Sequence, residues 1–134
     1  MKKQLSKSLI ERFSRQIILK NIGILGQKKI LLSKVLVVGV GGLGSPAAEF
    51  LVRSGVGLLG IIDYDKVSLS NLHRQSLYET SHVGRSKVEV IKKILNRINP
   101  NTKVQTYNLK LNNINFKKII KKYDYIIDGS DNFK

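Results

Sequence analysis

The sequence predicts an α/β protein with a doubly wound, mainly parallel β-sheet, and three observations lead to this fold class. Segments rich in β-branched residues alternate with segments whose apolar residues recur at helical spacing. The first β segment, Lys34 to Gly39, is almost continuously apolar, as in a strand that is buried on both faces. A glycine-rich turn follows this segment directly and opens a helical segment. Strands that alternate with helices form right-handed crossovers within one sheet.

The predicted elements follow one another without a linker or an internal repeat. Apolar spacing predicts helices over residues 8–19, 24–32, 43–53, 87–98 and 114–121. Runs of β-branched and aromatic residues predict strands over 34–39, 58–63, 104–109 and 123–128. Residues 64–85 are polar and irregular, which indicates a long loop with a short helical turn. We therefore divide the chain into an N-terminal helical segment, residues 1–33, and a sheet-containing domain, residues 34–134.

Length and composition limit the possible functions. The 134 residues fit a single domain, and a hydrophobic share of 42% is that of a globular protein. The chain contains no cysteine, which excludes disulfides, a thiolate zinc site and a cysteine nucleophile within it. No apolar run approaches the ~18 residues of a membrane span. No apolar run follows the basic N-terminus either, so we expect no secretory signal and a cytoplasmic protein without a membrane partner.

The net charge of +15 admits two interpretations. It could indicate a polyanionic partner such as a nucleic acid. It could also reflect an AT-rich genome, because lysine, isoleucine and asparagine have AT-rich codons and are all frequent here. The lysines are scattered over helical segments without the interleaved aromatic residues that stack on bases. We therefore do not expect nucleic acid as a partner, although a positive field would favour ATP or an acidic protein.

The glycine-rich turn matches the pattern G-x-G-x-x-G over Gly39-Val40-Gly41-Gly42-Leu43-Gly44. Glycines at these positions allow a tight turn and a close approach of phosphate to the backbone, and the helix N-terminus offers unpaired N–H groups. Asp63 closes the next predicted strand, where a carboxylate can accept hydrogen bonds from ribose hydroxyls. The pattern predicts nucleotide binding, the alternative being a turn needed only for packing. It does not distinguish ATP from NAD(P).

Several further segments, in order along the chain, make a family resemblance specific. They are Arg12-Phe13-Ser14-Arg15-Gln16, Val38 to Ser45 with its extra Gly42, Asp63-Tyr64-Asp65, Ser70-Asn71-Leu72-His73-Arg74-Gln75, Val83-Gly84-Arg85-Ser86-Lys87 and Asp128-Gly129-Ser130-Asp131-Asn132. With these segments the chain resembles the ThiF/MoeB/HesA family of adenylyltransferases, relatives of the ubiquitin-activating enzymes. The resemblance implies an enzyme that uses ATP to activate the C-terminal glycine of a ubiquitin-like sulfur-carrier protein, as in thiamine or molybdopterin biosynthesis.

The resemblance also implies roles for individual residues. Nucleotide binding is implied for Gly39, Gly41, Gly42, Gly44, Asp63, Asn71, Gln75 and Asn132. Catalytic roles are implied for Arg15, Arg74, Lys87 and Asp131. In this pattern Asp63 binds the ribose, Asp131 holds Mg²⁺, and Arg15 reaches into the site of a partner subunit. ATP and Mg²⁺ are thus the expected cofactors, and a homodimer is the expected assembly.

Each of these roles has a simpler alternative. Arg15, Arg74 and Lys87 could be surface cations, since most lysines and arginines are. Asn71 could serve a turn and Asp131 could cap a helix. Asp65 is expected only to shape its loop, and Tyr64 and Tyr78 are expected to be packing residues.

The resemblance stops where the sequence stops. Members of the family continue beyond the position of Lys134 with the rest of the sheet, the groove for the carrier tail and often a zinc site. We therefore expect a chain that is truncated relative to the family, without a zinc site. Two other functions remain open, an NAD(P)-binding oxidoreductase domain and a non-catalytic nucleotide-binding remnant.

Overall fold

The computed structural model describes residues 5–131, and it contains a four-stranded sheet in the order β3-β2-β1-β4. The strands are β1 (Lys34–Val38), β2 (Leu58–Ile62), β3 (Lys103–Tyr107) and β4 (Tyr125–Asp128). The helices are α1 (Lys7–Arg12), α2 (Ser14–Ile17), α3 (Gly23–Leu32), α4 (Gly44–Ser54), α5 (Lys87–Ile98) and α6 (Asn113–Ile120). Short 3-10 turns lie at Leu69–Asn71 and Thr80–His82 in the long loop between β2 and α5.

All strand pairs are parallel, so the predicted fold class is confirmed. Strand β1 lies between β2 and β4, and Val38 is in register with Ile62 on one side and Asp128 on the other. The carboxyl ends of these three strands therefore lie at one edge of the sheet. The strand order also reverses between β1 and β4, which is the place where open α/β sheets bind ligands.

The two faces of the sheet bury separate apolar clusters, because successive side chains of a strand point to opposite faces. Val37 and Ile61 pack on one face with Ile91 and Leu95 of α5, and all four are fully buried. Leu36 and Ile62 pack on the other face with Ile119 of α6. Helices on both faces make the sheet doubly wound. Among residues 5–131, no helix combines the length and apolarity that a membrane span requires.

The single helix predicted over residues 8–19 is wrong. The structure has two short helices, α1 and α2, separated at Phe13, where ψ is 15° instead of helical. The Phe13 side chain is only 1% exposed and packs against Gly55, which has a left-handed φ of 93° and ends α4. A methyl group at Gly55 would overlap the Phe13 ring. Burial of this ring thus coincides with the break, which helical spacing alone does not reveal.

The other predicted elements exist, with ends that differ from the predicted ones by one residue in most of them and by two residues in two strands. β3 ends at Tyr107 instead of residue 109, because its partner β2 ends at Ile62. β4 begins at Tyr125 instead of residue 123, and the Tyr123 hydroxyl lies 3.1 Å from the Tyr107 hydroxyl beside the α6 cluster.

The N-terminal helices are attached to the end of α4 by buried polar contacts. Gln27 is fully buried, and its Nε2 donates to the Ser54 carbonyl at 3.0 Å. Gln16 Nε2 donates to Gln27 Oε1 at 2.7 Å and to the same carbonyl at 3.1 Å. The helices of the 1–33 segment therefore pack closely on the sheet-containing part, and the domain boundary stays a prediction.

Candidate nucleotide-binding site

The glycine-rich turn connects β1 to α4 at the carboxyl edge of the sheet. Gly39 has a left-handed φ of 79°, and its N–H donates to the Ile62 carbonyl at 2.8 Å. A methyl group at Gly44 would overlap the Gly39 carbonyl oxygen. The turn is therefore as tight as the sequence predicts, and α4 starts directly from it, with its N-terminal N–H groups at the strand edge.

The end of β4 packs against this turn. The Gly129 N–H donates to the Val38 carbonyl at 2.8 Å, and a methyl group at Gly129 would lie 2.9 Å from Gly44 Cα. Glycine at position 129 thus lets the segment that carries Asp131 approach the turn. Asp131 is exposed, and Asn132 lies outside the described residues.

Asp128 shapes the backbone between β4 and Asp131. Its Oδ1 accepts hydrogen bonds from the Ser130 hydroxyl at 2.7 Å and the Ser130 N–H at 3.0 Å. The Ser130 hydroxyl, followed by the Ser130 N–H, lowers the pKa of Asp128 because both donors favour the charged carboxylate.

The loop after β2 covers the other side of the turn. A methyl group at Gly41 would lie 3.5 Å from Gln75 Nε2, and one at Gly42 would lie 3.6 Å from Arg74 Cγ and Cδ. The carbonyl of Asn71 accepts hydrogen bonds from the N–H groups of Arg74 and Gln75. The structure therefore places Arg74 and Gln75 beside Gly42 and Gly41, and it connects Asn71 to them through its backbone carbonyl.

Gln75 is buried without a complete set of hydrogen bonds. The residue is 2% exposed, and its Oε1 has no partner in the structure. An unpaired buried amide oxygen is costly in a folded protein, which makes this position unusual. The amide group lies beside the backbone of Gly41, where a bound phosphate would change its surroundings.

Asp63 holds the turn through the backbone. Its Oδ2 accepts from the Val40 N–H at 2.9 Å, and its Oδ1 accepts from the Asp65 N–H at 2.8 Å. An ionised carboxylate has about four acceptor positions, so two remain for other donors. The predicted ribose contact is compatible with this geometry, and Asp63 additionally anchors the turn, which its position in the sequence did not indicate.

Lys87 is buried at the start of α5, so its interpretation as a surface cation is wrong. Its side chain is 5% exposed, and its Nζ lies 3.3 Å from Asp65 Oδ2. The Lys87 N–H also donates to the Asp65 carbonyl at 3.0 Å. Asp65 therefore does more than shape its loop, since it supplies the counter-charge of a buried ammonium group. A buried lysine needs a carboxylate partner, and this requirement is the signal that could have indicated the pair of Lys87 and Asp65.

Tyr78 is a second residue whose contact the sequence did not indicate. It is buried in the core, as expected of a packing residue, but its hydroxyl also donates to the Val40 carbonyl at 2.9 Å. Burial, and then the charge of Asp63, raise the pKa of Tyr78 far above its ordinary value. The raised pKa favours the protonated hydroxyl, which is the form that donates to Val40.

Arg15 does not join this cluster within one chain. It is exposed on α2, and the neighbouring Gln16 contacts Ser54, the last residue of α4. The glycine turn lies at the opposite end of α4, and the 11 residues of this helix place the turn about 16 Å from Ser54. The role that the resemblance implies for Arg15, in the site of a partner subunit, stays a prediction.

The resemblance assigns a metal ion to Asp131, an exposed carboxylate at the strand edge. Residues 5–131 contain no group of three or more His, Asp or Glu side chains that could enclose a metal ion. A single exposed carboxylate, Asp131, suits Mg²⁺, which commonly takes one or two carboxylates and completes its shell with phosphate oxygens and water.

Taken together, the site offers backbone N–H groups, the N-terminus of α4 and the cationic side chain of Arg74 at the strand edge of an α/β sheet, and Lys87 is paired with Asp65 in the segment after β2. Such an arrangement attracts phosphate groups. The fold and the site define a nucleotide-binding protein of the Rossmann-like class. Comparison with known proteins gives the family: the chain belongs to the ThiF family, whose model matches residues 13–134.

The relatives of the chain include named adenylyltransferases. A probable molybdopterin-synthase adenylyltransferase of Porphyra purpurea is 48% identical over 122 residues, which are 91% of this chain and 32% of the relative. A sulfur carrier protein adenylyltransferase of Thermus thermophilus is 43% identical over 128 residues, which are 96% of this chain and 47% of the relative. The chain therefore spans less than half the length of these relatives.

Solved structures share the fold. The E. coli tRNA N6-threonylcarbamoyladenosine dehydratase TcdA in complex with ATP superimposes with a TM-score of 0.85 at 30% identity. The match covers 95% of this chain and 52% of that protein. Another structure of TcdA has a TM-score of 0.88 at 31% identity.

Proposed function

We propose that this chain is the ATP-binding part of an adenylyltransferase that activates the C-terminal carboxylate of a ubiquitin-like sulfur-carrier protein. The observation that carries the proposal is that Arg74 and Gln75 lie beside Gly42 and Gly41, within van der Waals distance of a methyl group placed at either glycine. This arrangement adds a cation and an amide to a turn whose backbone already suits phosphate. The names of the relatives from Porphyra purpurea and Thermus thermophilus support the reaction class and the kind of carrier.

In the proposed reaction, a carboxylate oxygen of the carrier's terminal glycine attacks the α-phosphorus of ATP. A new O–P bond forms, and the bond between the α-phosphorus and the bridging oxygen of the β-phosphate breaks, so that pyrophosphate leaves with the electron pair. Arg74 and Lys87 stabilise the negative charge on the phosphates, and the N-terminus of α4 binds one of them. Mg²⁺, held by Asp131, would supply further positive charge at the phosphates. Asp63 would accept hydrogen bonds from the ribose.

A homodimer is part of the proposal, with Arg15 contributing to the site of the partner. The exposure of Arg15, at the end of α4 opposite to the glycine turn, supports a role outside its own chain's site. The name of the relative from Porphyra purpurea favours a carrier of the molybdopterin type, and a carrier of the thiamine type is the alternative.

Calorimetric titration with Mg-ATP, beside NAD⁺ and NADH, tests the nucleotide. We expect Mg-ATP to bind and Arg74→Ala to weaken its binding about tenfold, because a charge-assisted contact to phosphate is lost. Arg85→Ala is the matched control, since it removes the same charge from an exposed position of the same loop and should leave the Kd within about twofold.

The other outcomes separate the alternatives. Binding of NAD⁺ or NADH without ATP would favour an oxidoreductase domain. Equal effects of the two arginine variants would contradict the role of Arg74. Carrier-dependent exchange of labelled pyrophosphate into ATP would support adenylation, whereas ATP binding without exchange would favour a nucleotide-binding part that does not catalyse.

A further inference from the structure

We propose that the Tyr78 hydroxyl is a positioning group that orients the peptide between Val40 and Gly41, and with it a phosphate-binding N–H group of the turn. The inference rests on the proposed nucleotide-binding function. It gives a role in that site to a residue that neither the sequence pattern nor the family resemblance singled out.

The two polar backbone groups of Val40 are held from different parts of the chain. Its N–H donates to Asp63 Oδ2 at the end of β2, and its carbonyl accepts from the Tyr78 hydroxyl in the long loop, both at 2.9 Å. Val40 is itself fully buried. Both peptide units that flank this residue therefore have a fixed orientation at the start of the glycine turn.

The contact with Tyr78 determines where the next N–H points. In a trans peptide the C=O and the following N–H point in opposite directions, and the structure contains no cis peptide among the described residues. Because the Val40 carbonyl points to the buried Tyr78 hydroxyl, the Gly41 N–H points away from the core. That direction makes it available to a phosphate at the open side of the turn.

Tyr78 is well fixed for such a task. Its ring belongs to the apolar cluster on the α4 and α5 face of the sheet and is 4% exposed. Its N–H donates to the carbonyl of Gln75, the residue whose amide lies beside Gly41. The segment from Gln75 to Tyr78 thus contacts two successive residues of the turn, and the high pKa of Tyr78 keeps its proton on the hydroxyl.

Tyr78→Phe isolates the hydroxyl, because the ring and its packing remain. Tyr123→Phe is the matched control. The Tyr123 hydroxyl also makes a hydrogen bond, at 3.1 Å to Tyr107, but in the cluster on the other face of the sheet. Both variants delete one oxygen atom and one hydrogen bond, and only the first deletion touches the turn.

The experiment compares amide hydrogen exchange by NMR and the Kd for Mg-ATP in the wild type and both variants. In Tyr78→Phe we expect exchange at Val40 and Ser45, whose N–H groups donate hydrogen bonds within the turn, to accelerate about three- to tenfold, and the Kd to rise by a similar factor. In Tyr123→Phe both quantities should stay within about twofold of wild type. In the wild type the Tyr78 hydroxyl proton should give a resonance that exchanges slowly with water.

The two readouts keep this proposal separate from the proposed function. If the wild type binds no ATP, the proposed function fails, but the exchange rates still decide whether Tyr78 orders the turn. Unchanged exchange at Val40 and Ser45 in Tyr78→Phe would overturn the proposal. A uniform acceleration over the whole chain would also overturn it, since it would indicate a purely structural role. If the wild type shows no slowly exchanging resonance for the Tyr78 hydroxyl proton, the proposal is overturned without any variant.

Discussion

Two buried glutamines lie near opposite ends of helix α4 and differ in how completely their hydrogen bonds are made. At the carboxyl end, Gln27 accepts from Gln16 and donates to the Ser54 carbonyl, so both atoms of its amide have a partner. Near the amino end, Gln75 lies beside Gly41, and its Oε1 has no partner. The two residues are 0% and 2% exposed, so solvent access does not explain the difference.

The unpaired atoms lie outside the network of Gln16 and Gln27. Among residues 5–131, the buried side-chain nitrogen or oxygen atoms without a partner are Gln75 Oε1 and Ser86 Oγ. Gln75 contacts the glycine turn, and Ser86 directly precedes the buried Lys87. A polar cluster with a structural role can complete its hydrogen bonds during folding. A group that serves a ligand can instead have its partner outside the folded chain, and this is the difference that we infer between the two glutamines.

The largest expected effect is that of Gln27→Leu. The substitution has nearly the right volume but leaves the Gln16 amide without its partner at 2.7 Å and the Ser54 carbonyl with one donor fewer. We expect the free energy of unfolding to fall by about 2–3 kcal/mol, as for other broken buried networks. Urea denaturation would measure this loss, and the Kd for Mg-ATP of the folded variant should change less than about twofold. An undiminished unfolding free energy would show that the network does not stabilise the fold.

The same substitution at the other glutamine, Gln75→Leu, should have the opposite profile. It removes an acceptor that has no partner, so the free energy of unfolding should stay within about 1 kcal/mol of wild type or rise. The Kd for Mg-ATP should increase about tenfold, because the amide beside Gly41 is lost. Gln27→Leu and Gln75→Leu thus serve as controls for each other. The comparison fails if Gln75→Leu destabilises the chain as much as Gln27→Leu does.

Much of the fold could be predicted because it depends on local pattern. Lys87–Ile98 was predicted with its observed ends, since its apolar residues keep one helical face over its whole length. The continuous apolar run of β1 predicted a strand buried in a parallel sheet, which the structure confirms. Strand ends were less predictable, because β3 stops where its partner β2 stops, and one strand's sequence does not contain that information.

The candidate site was only partly predictable, for a physical reason. The glycine turn is a local motif that the sequence shows directly. The family resemblance predicted that Arg74, Gln75 and Lys87 belong to the same site. The contacts of Tyr78 with Val40 and of Lys87 with Asp65 join residues 38 and 22 positions apart. Such contacts depend on how the long loop folds back over the sheet edge, and no spacing rule of helices or strands describes that path.

The smallest expected effect concerns Asp128, a polar residue of the same edge that is exposed to solvent. Ser130→Ala removes the 2.7 Å hydrogen bond from the hydroxyl, so the pKa of Asp128 should rise toward its ordinary value of 3.8. NMR titration of the Asp128 carboxyl carbon measures this rise directly. Because the folded pKa is depressed, the carboxylate stabilises the fold above its unfolded pKa. This contribution is lost as the pH falls through the folded pKa.

Exposure to water keeps the effect on stability small, in contrast to the buried glutamines. The unfolding free energies of wild type and Ser130→Ala should differ slightly at neutral pH and converge in acid, below both pKa values of Asp128. Ser130→Thr is the control, since it keeps the hydroxyl and should restore the low pKa. A difference between wild type and Ser130→Ala that is the same at every pH would assign the loss to the backbone turn, and the hydrogen bond to Asp128 would then not be its cause.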